Sequence, residues 1–301
     1  MSSTLDTLTE INVDDLLDAA GLVRWRRTPL RRLFRRPARR FAHIAMAFDR
    51  AVAERGFAGG SAWMVERMAG GLQVQGAAQV PAHGPLCVLA NHPGMTDTVA
   101  LIASLAVRPD LRVIALDRPF LRALPAVAPR LIFVPADDEA GRLAVVRQGV
   151  EHLRAGGALL TFPAARIEPD PALAGAPPAL ASLAVWSASF ALFVRRVPRT
   201  VVLPALASHV LDAGAQGHPL ARLRRRPEDR EKLGAALQVA LARYQRGQVR
   251  VAFGSPLAGT DARALHAAVL DQMARLIAAA AADGTAPPAG TPAHDAALAR
   301  R

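Results

Sequence analysis

Short apolar runs of four to seven residues trade places along the chain with longer segments in which apolar residues recur three and four apart. The runs predict strands over 72–75, 86–90, 112–116, 131–134, 158–162, 200–206 and 248–253. The segments of helical period predict helices over 97–107, 139–155, 179–195, 228–246 and 261–282, with a proline-rich turn over 163–178. Ahead of the first strand, Asn12 and Gly21 bracket a short helix over 12–20, as cap and stop. Further helical pattern runs over 38–56 and 61–69 and ends at Gly70-Gly71. Strands separated by helices predict an α/β fold with a largely parallel central sheet flanked by helices. The pattern divides the chain into an N-terminal helical region (1–71), a sheet-bearing domain (72–283) and an Ala-, Pro- and Gly-rich tail (284–301) expected to be disordered.

One loop in this pattern carries chemistry. Residues 91–97 read Asn-His-Pro-Gly-Met-Thr-Asp and follow the predicted strand Leu86–Ala90, at the kind of strand end where open α/β sheets build their sites. Asp97 falls in the first turn of the next helix, and folding of Pro93-Gly94 can bring its carboxylate back onto His92. A neutral imidazole is the usual base for taking a proton from an alcohol. A carboxylate on its far nitrogen fixes the tautomer and stabilises the imidazolium. The chain has no Gly-x-Ser-x-Gly elbow, so the hydroxyl to be activated can be the substrate's own. The plainer alternative is a helix-capping aspartate beside a loop histidine.

Composition narrows the setting. Of 301 residues 51% are hydrophobic, yet no run reaches the roughly 20 apolar residues of a membrane span. The nearest is 179–194, where Leu183, Trp186, Phe190 and Phe193 recur at helical spacing. They predict a helix buried against the sheet, or else one lining an acyl groove or dipping into lipid. The single cysteine, Cys87, excludes an intramolecular disulfide and lies within a predicted strand, a poor place for a nucleophile. The N-terminus is acidic with no apolar core behind it, so no signal peptide is expected.

Net charge is +12, and all 37 basic residues except Lys232 are arginine, which together with abundant alanine suggests a GC-rich genome. Arg24, Arg26, Arg27, Arg31, Arg32, Arg35, Arg36, Arg39 and Arg40 interleave with Trp25, Leu30, Leu33, Phe34 and Phe41. Such basic amphipathic stretches lie on anionic membrane surfaces. A second cluster is Arg222, Arg224, Arg225 and Arg226. Nucleic acid and a merely solvated basic face are the alternatives, but no zinc pattern, RNP-like sequence or helix-turn-helix supports base reading.

Asn91-His92 followed by Asp97 resembles the first signature of the lysophospholipid and glycerol-3-phosphate acyltransferase family, Asn-His-x-x-x-x-Asp after a buried strand. The resemblance continues in family order: Leu72–Gly76 with Pro81 and Gly84-Pro85, then Leu131–Val134, Gly156–Pro163, Val201–Leu206 and Val249–Leu257. It implies a glycerolipid acyltransferase-like fold over roughly 72–258. It implies transfer of a fatty acyl group to a lipid hydroxyl, with acyl-CoA or acyl carrier protein as co-substrate and no cofactor or metal. It implies His92 and Asp97 as the catalytic pair; beside them, substrate or oxyanion contacts are expected from Asn91, Gly94, Phe162, Pro163 and Arg166. A peripheral place on the cytoplasmic face of a bacterial inner membrane, without nucleic-acid partners, completes the expectation. Two departures stand out. The second signature usually ends in arginine, where this chain has Pro135-Ala136, and the third reads Phe-Pro-Glu-Gly, where it has Phe162-Pro163-Ala164-Ala165. Both bear on the acceptor. Arg166 is the nearest remaining cation for an anionic head group, or else a solvated loop arginine.

Overall fold

The computed structural model describes residues 4–19, 21–135, 139–222, 233–234, 237–238 and 241–285. Ala136, Arg224–Arg226, most of the predicted 228–246 helix and the tail beyond 285 lie outside the described residues.

Seven strands form one sheet: β1 (Gly71–Gln75), β2 (Leu86–Ala90), β3 (Arg112–Leu116), β4 (Leu131–Val134), β5 (Ala158–Thr161), β6 (Val201–Ser208) and β7 (Gln248–Phe253). Their order is β1-β7-β6-β2-β5-β3-β4, and every neighbouring pair is parallel except β6 and β7. The fold is α/β, its sheet largely parallel and flanked by helices. β2 is fully buried along its length because both faces are covered. Side-chain alternation then splits the core in two. Leu86, Val88 and Ala90 join the apolar cluster on one face, Cys87 and Leu89 the cluster on the other.

The first face is covered by α1 (Thr4–Ala19), α2 (Arg35–Met68) and α3 (Met95–Ser104), which share one core with the sheet. α1 starts well before Asn12. That residue is no cap: it lies buried in mid-helix with its amide donating to the carbonyl of Ala38 on α2. The stop is as expected. Gly21 takes φ 61° while its N–H and that of Leu22 close back on Asp18 and Leu17. The patterns at 38–56 and 61–69 prove to be one element bent at Gly56, whose φ of 75° and ψ of 174° interrupt the helix. The bend brings the second arm so close that a Cβ on Gly60 would stand 2.6 Å from the backbone nitrogen of Val52.

On the second face lie α4 (Glu139–Arg154), α5 (Ala176–Ser182), α6 (Ala191–Arg196) and α7 (Ala262–Thr285). α7 is apolar and long enough to cross a membrane by length and composition, but Leu265, Val269, Met273 and Ile277 form a buried stripe against the sheet. The continuous helix expected over 179–195 is not formed. α5 passes through a 3-10 turn into an extended Trp186, and the chain resumes at a 48° angle. Tertiary anchors cause the break: the Trp186 indole N–H is bound by Glu168 and the Ser187 N–H by the carbonyl of Pro163. Ser187 then caps the next turn by accepting from the Ser189 N–H. The aromatic stripe itself is buried, as its spacing predicts, with Leu183, Trp186, Phe190 and Phe193 all in the second core.

Candidate active site

Three neighbouring strands, β6, β2 and β5, run parallel and discharge their loops at the same end of the sheet. These loops, 91–94, 162–170 and 209–212, pack on one another. Gly94 belongs to the first; a Cβ there would meet Val210 at 3.2 Å and Leu211 at 3.3 Å in the third. Asp170 of the second accepts from the backbone N–H groups of His209, Val210 and Leu211, and from Ala172.

His92 and Asp97 face each other. His92 Nδ1 lies 2.8 Å from Asp97 Oδ2, the imidazole supplying the proton in the tautomer that leaves Nε2 free. Asp97 is the third residue of α3, so its carboxylate reaches back over the turn and takes the Gly94 N–H as well, at 2.9 Å. Its other oxygen accepts from the Thr98 hydroxyl and backbone N–H. The carboxylate is wholly buried, whereas the His92 side chain is 29% exposed, so the pair opens to solvent only through the imidazole. Burial of the ring disfavours its protonated form. Asp97, by charge and hydrogen bond, and Glu168, by charge, outweigh that and hold the His92 pKa above its ordinary value.

The remaining predicted residues separate into three situations. Phe162 lies against the imidazole, with ring centroids 4.7 Å apart and tilted by 33°. Pro163 is buried and supplies the carbonyl that anchors Ser187, while Arg166 is exposed on the rim, in the turn before Glu168. Asn91 is buried with both ends of its amide bound to Ala207: Nδ2 donates to the carbonyl at 2.9 Å and Oδ1 accepts the N–H at 2.7 Å. It lengthens the β2–β6 pairing by a side chain. The Gly94 N–H is thus taken by Asp97, and the Asn91 amide spends its oxygen and one of its N–H groups on Ala207. Cys87 sits inside β2, where burial pushes its thiol up to about 12.

In the second loop the departures from the resembled signature alter side chains while keeping a tight turn. Ala165 donates to the Phe162 carbonyl and takes φ 52°, a left-handed conformation, at the place where the signature carries glycine. Ala164 stands at the signature's glutamate, and the carboxylate that reaches the His92 loop comes from Glu168. It was missed in the sequence because Ile167-Glu168-Pro169 has neither period nor motif. Glu168 and His92 exchange backbone contacts: the Glu168 N–H donates to the His92 carbonyl at 2.9 Å, and the His92 N–H to Glu168 Oε2 at 3.1 Å. Burial pushes the Glu168 carboxyl upward, against the lowering effect of Trp186, Ser182 and His92.

Two cavities, of about 300 and 190 Å3, lie away from the imidazole, though the smaller borders the site through Val210 and Leu211. Neither is lined by His92, and the ring opens directly to the surface. Among the described residues no group of three or more His, Cys, Asp or Glu side chains is placed to hold a metal ion.

No protein-family model matches the chain, and no curated protein does. Among solved structures, the crystal structure of the 1-acyl-sn-glycerophosphate (LPA) acyltransferase PlsC from Thermotoga maritima is similar in chain path. The TM-score is 0.44 at 15% identity, over 90% of this chain and 93% of that one.

Proposed function

We propose that the protein is an O-acyltransferase that moves a fatty acyl group from acyl-CoA or acyl carrier protein to a hydroxyl of a lysophospholipid-like or other lipid acceptor, with His92 as general base. The observation that carries this reading is the 2.8 Å contact between His92 Nδ1 and a wholly buried Asp97, with the other edge of the imidazole open at the strand ends. The resemblance of the Asn-His-x-x-x-x-Asp segment and its successors supplies the reaction class. His92 Nε2 takes the proton of the acceptor hydroxyl, and the alkoxide oxygen attacks the thioester carbonyl. Collapse of the tetrahedral intermediate expels the thiolate, which recovers the proton from the imidazolium. Asp97 keeps Nδ1 protonated throughout, so the ring stays in the productive tautomer and its transient charge is met.

The surroundings suit an amphipathic substrate. Phe162 flanks the imidazole, and Ile167 and Leu173 stand exposed in the same loop cluster. Arg166 on the rim is a candidate for an anionic head group. The N-terminal helices lie at this end of the sheet, because Phe41 of α2 stacks on Phe120 in the segment that follows β3 (ring centroids 5.7 Å apart). Acids of α1 pair with Arg26, Arg31, Arg35 and Arg39, leaving Arg24, Arg27, Arg32, Arg36 and Arg40 exposed among Val23, Leu30 and Leu33. This free face fits an anionic bilayer surface, each cation contributing on the order of 1 kcal/mol.

The test is transfer of labelled acyl groups from acyl-CoA and from acyl carrier protein into a panel of lysolipids, by wild type and His92→Ala. Transfer by wild type that drops about 10²–10⁴-fold in the variant supports the reading; an undiminished rate in His92→Ala overturns it. The altered signatures favour one second reading, a lipid-surface binder of the same fold that has lost turnover. Flotation with anionic vesicles without transfer to any acceptor is its expected result.

A further inference from the structure

His92 is held at two places by two acids, and they differ in kind. Asp97 binds the ring. Glu168, 76 residues away in sequence, binds the backbone, and the reciprocal pair of bonds between residues 92 and 168 fixes the turn that carries the imidazole. We propose that Glu168, in its ionised form, is a second positioning carboxylate for His92, holding the residue by its main chain while Asp97 holds it by its ring.

The contacts of Glu168 make this more than packing. The residue is 2% exposed, and each carboxylate oxygen faces an N–H that can only donate: the His92 backbone at Oε2, and the Trp186 indole at Oε1 at 2.7 Å. The Ser182 hydroxyl lies 3.0 Å from Oε1 and is shared with the carbonyl of Ala179. Obligate donors on both oxygens are the partners an anion needs and a glutamine cannot match. Whichever way a side-chain amide is turned, its NH2 opposes either the His92 N–H or the Trp186 N–H. Trp186 is in turn fixed by the second core, and the helix of the 176–196 segment breaks at this residue. The irregular segment after β5 thus has a definite task, to carry an acid from one side of β2 to the back of the His92 loop. Among the described residues, Asp97 on α3 and Glu168 on that segment are the charged groups that bear on the imidazole, and Phe162 covers its flank. With the Glu168 charge removed, the ring loses one of the two acids that favour its protonated form.

The proposal rests on His92 being the base of the transfer described above, and one of its readouts is independent of transfer. The His92 titration is followed by NMR of ring-labelled, substrate-free protein, together with kcat and KM, for wild type, Glu168→Gln, Glu168→Asp and Trp186→Phe. Glu168→Gln, close in shape to the native side chain, is expected to move the His92 midpoint to lower pH. It is also expected to cut kcat by about 10–100-fold, as small misplacements of a reacting group do, with KM for the thioester within about twofold. Glu168→Asp keeps the charge but is a methylene short, so its midpoint is expected above that of Glu168→Gln while its kcat still falls. A folded Glu168→Gln with the wild-type midpoint and kcat overturns the proposal. If Glu168→Gln does not fold, Trp186→Phe decides: a midpoint and kcat both unchanged overturn it, a shift in the same direction supports it. A wild type that transfers no acyl group defeats the transferase reading alone, since the midpoint still decides whether Glu168 acts on the imidazole.

Discussion

Two loop segments build the surroundings of His92, and they do so by opposite routes. Segment 91–98 is self-sufficient in sequence: the acid, the imidazole and the Gly94 N–H that the acid also accepts lie within six residues, closed by the first turn of α3. Segment 162–170 works only at long range. Its acids, Glu168 and Asp170, spend their oxygens on residues 92, 182, 186 and 209–211, and only Ala172 is near in sequence. The first segment sets the chemistry of one side chain, and the second sets where the loops sit. Local geometry can hold a proton acceptor in its tautomer, but orienting it toward a substrate takes contacts between elements.

If the first segment holds the chemistry, the largest effect in the molecule should come from Asp97→Asn. The acyl-transfer rate is expected to fall by about 10²–10⁴-fold, because the amide cannot stabilise the imidazolium. The pH profile sharpens the point. The base must be neutral, and burial is outweighed by Asp97 and Glu168 so that the His92 pKa is raised. Activity should therefore be lost as pH falls through a value above the ordinary one of about 6.5, and the limb should move to lower pH in Asp97→Asn. In the second segment, Asp170→Ala strands four backbone N–H groups in a buried place and should cost about 3 kcal/mol or more in urea unfolding. Asn91→Ala lies between the two cases. It leaves the N–H and carbonyl of Ala207 without their partner, and a loss of about 1–3 kcal/mol is expected from the same measurement. The smallest effect is a gain: Ala165→Gly relieves a left-handed alanine at φ 52° and should raise stability by about 0.5–1 kcal/mol in thermal unfolding. A destabilised Ala165→Gly would mean that the turn does not need its present backbone.

What could be read from the chain alone follows the same division. The strands Leu86–Ala90, Arg112–Leu116, Leu131–Val134 and Gln248–Phe253 have the boundaries their sequence pattern predicts: Leu86–Ala90 is an unbroken apolar run because both its faces are covered, and Gln248–Phe253 alternates because every second residue is buried. The pairing of Asp97 with His92 was legible from local geometry, since an acid five residues on, in the first turn of the next helix, can fold back over the Pro93-Gly94 turn. The break at Trp186 was not legible: Leu183, Trp186, Phe190 and Phe193 keep a helical period across it, and what stops the helix is an acid 18 residues upstream. Asn12 reads as a cap and is an interior link to α2, because a side-chain amide can serve either purpose and only the neighbouring helix chooses. Asn91 reads as a substrate contact, and its amide is bound to the backbone of Ala207 on β6, a link only the tertiary structure shows.

By itself the sequence determined the α/β class, the positions of most strands, the Gly21 stop and the acid–imidazole pair, all properties of pattern within a few residues. Only the tertiary structure decided the strand order, the bend of the second helix onto itself at Gly56, the convergence of three loops and the identity of the second acid at His92. The physical reason is that hydrophobic period and turn chemistry act over one or two turns of chain. A buried carboxylate is placed instead by whichever donors the folded core brings within 3 Å of it, and those leave no mark on the sequence near it.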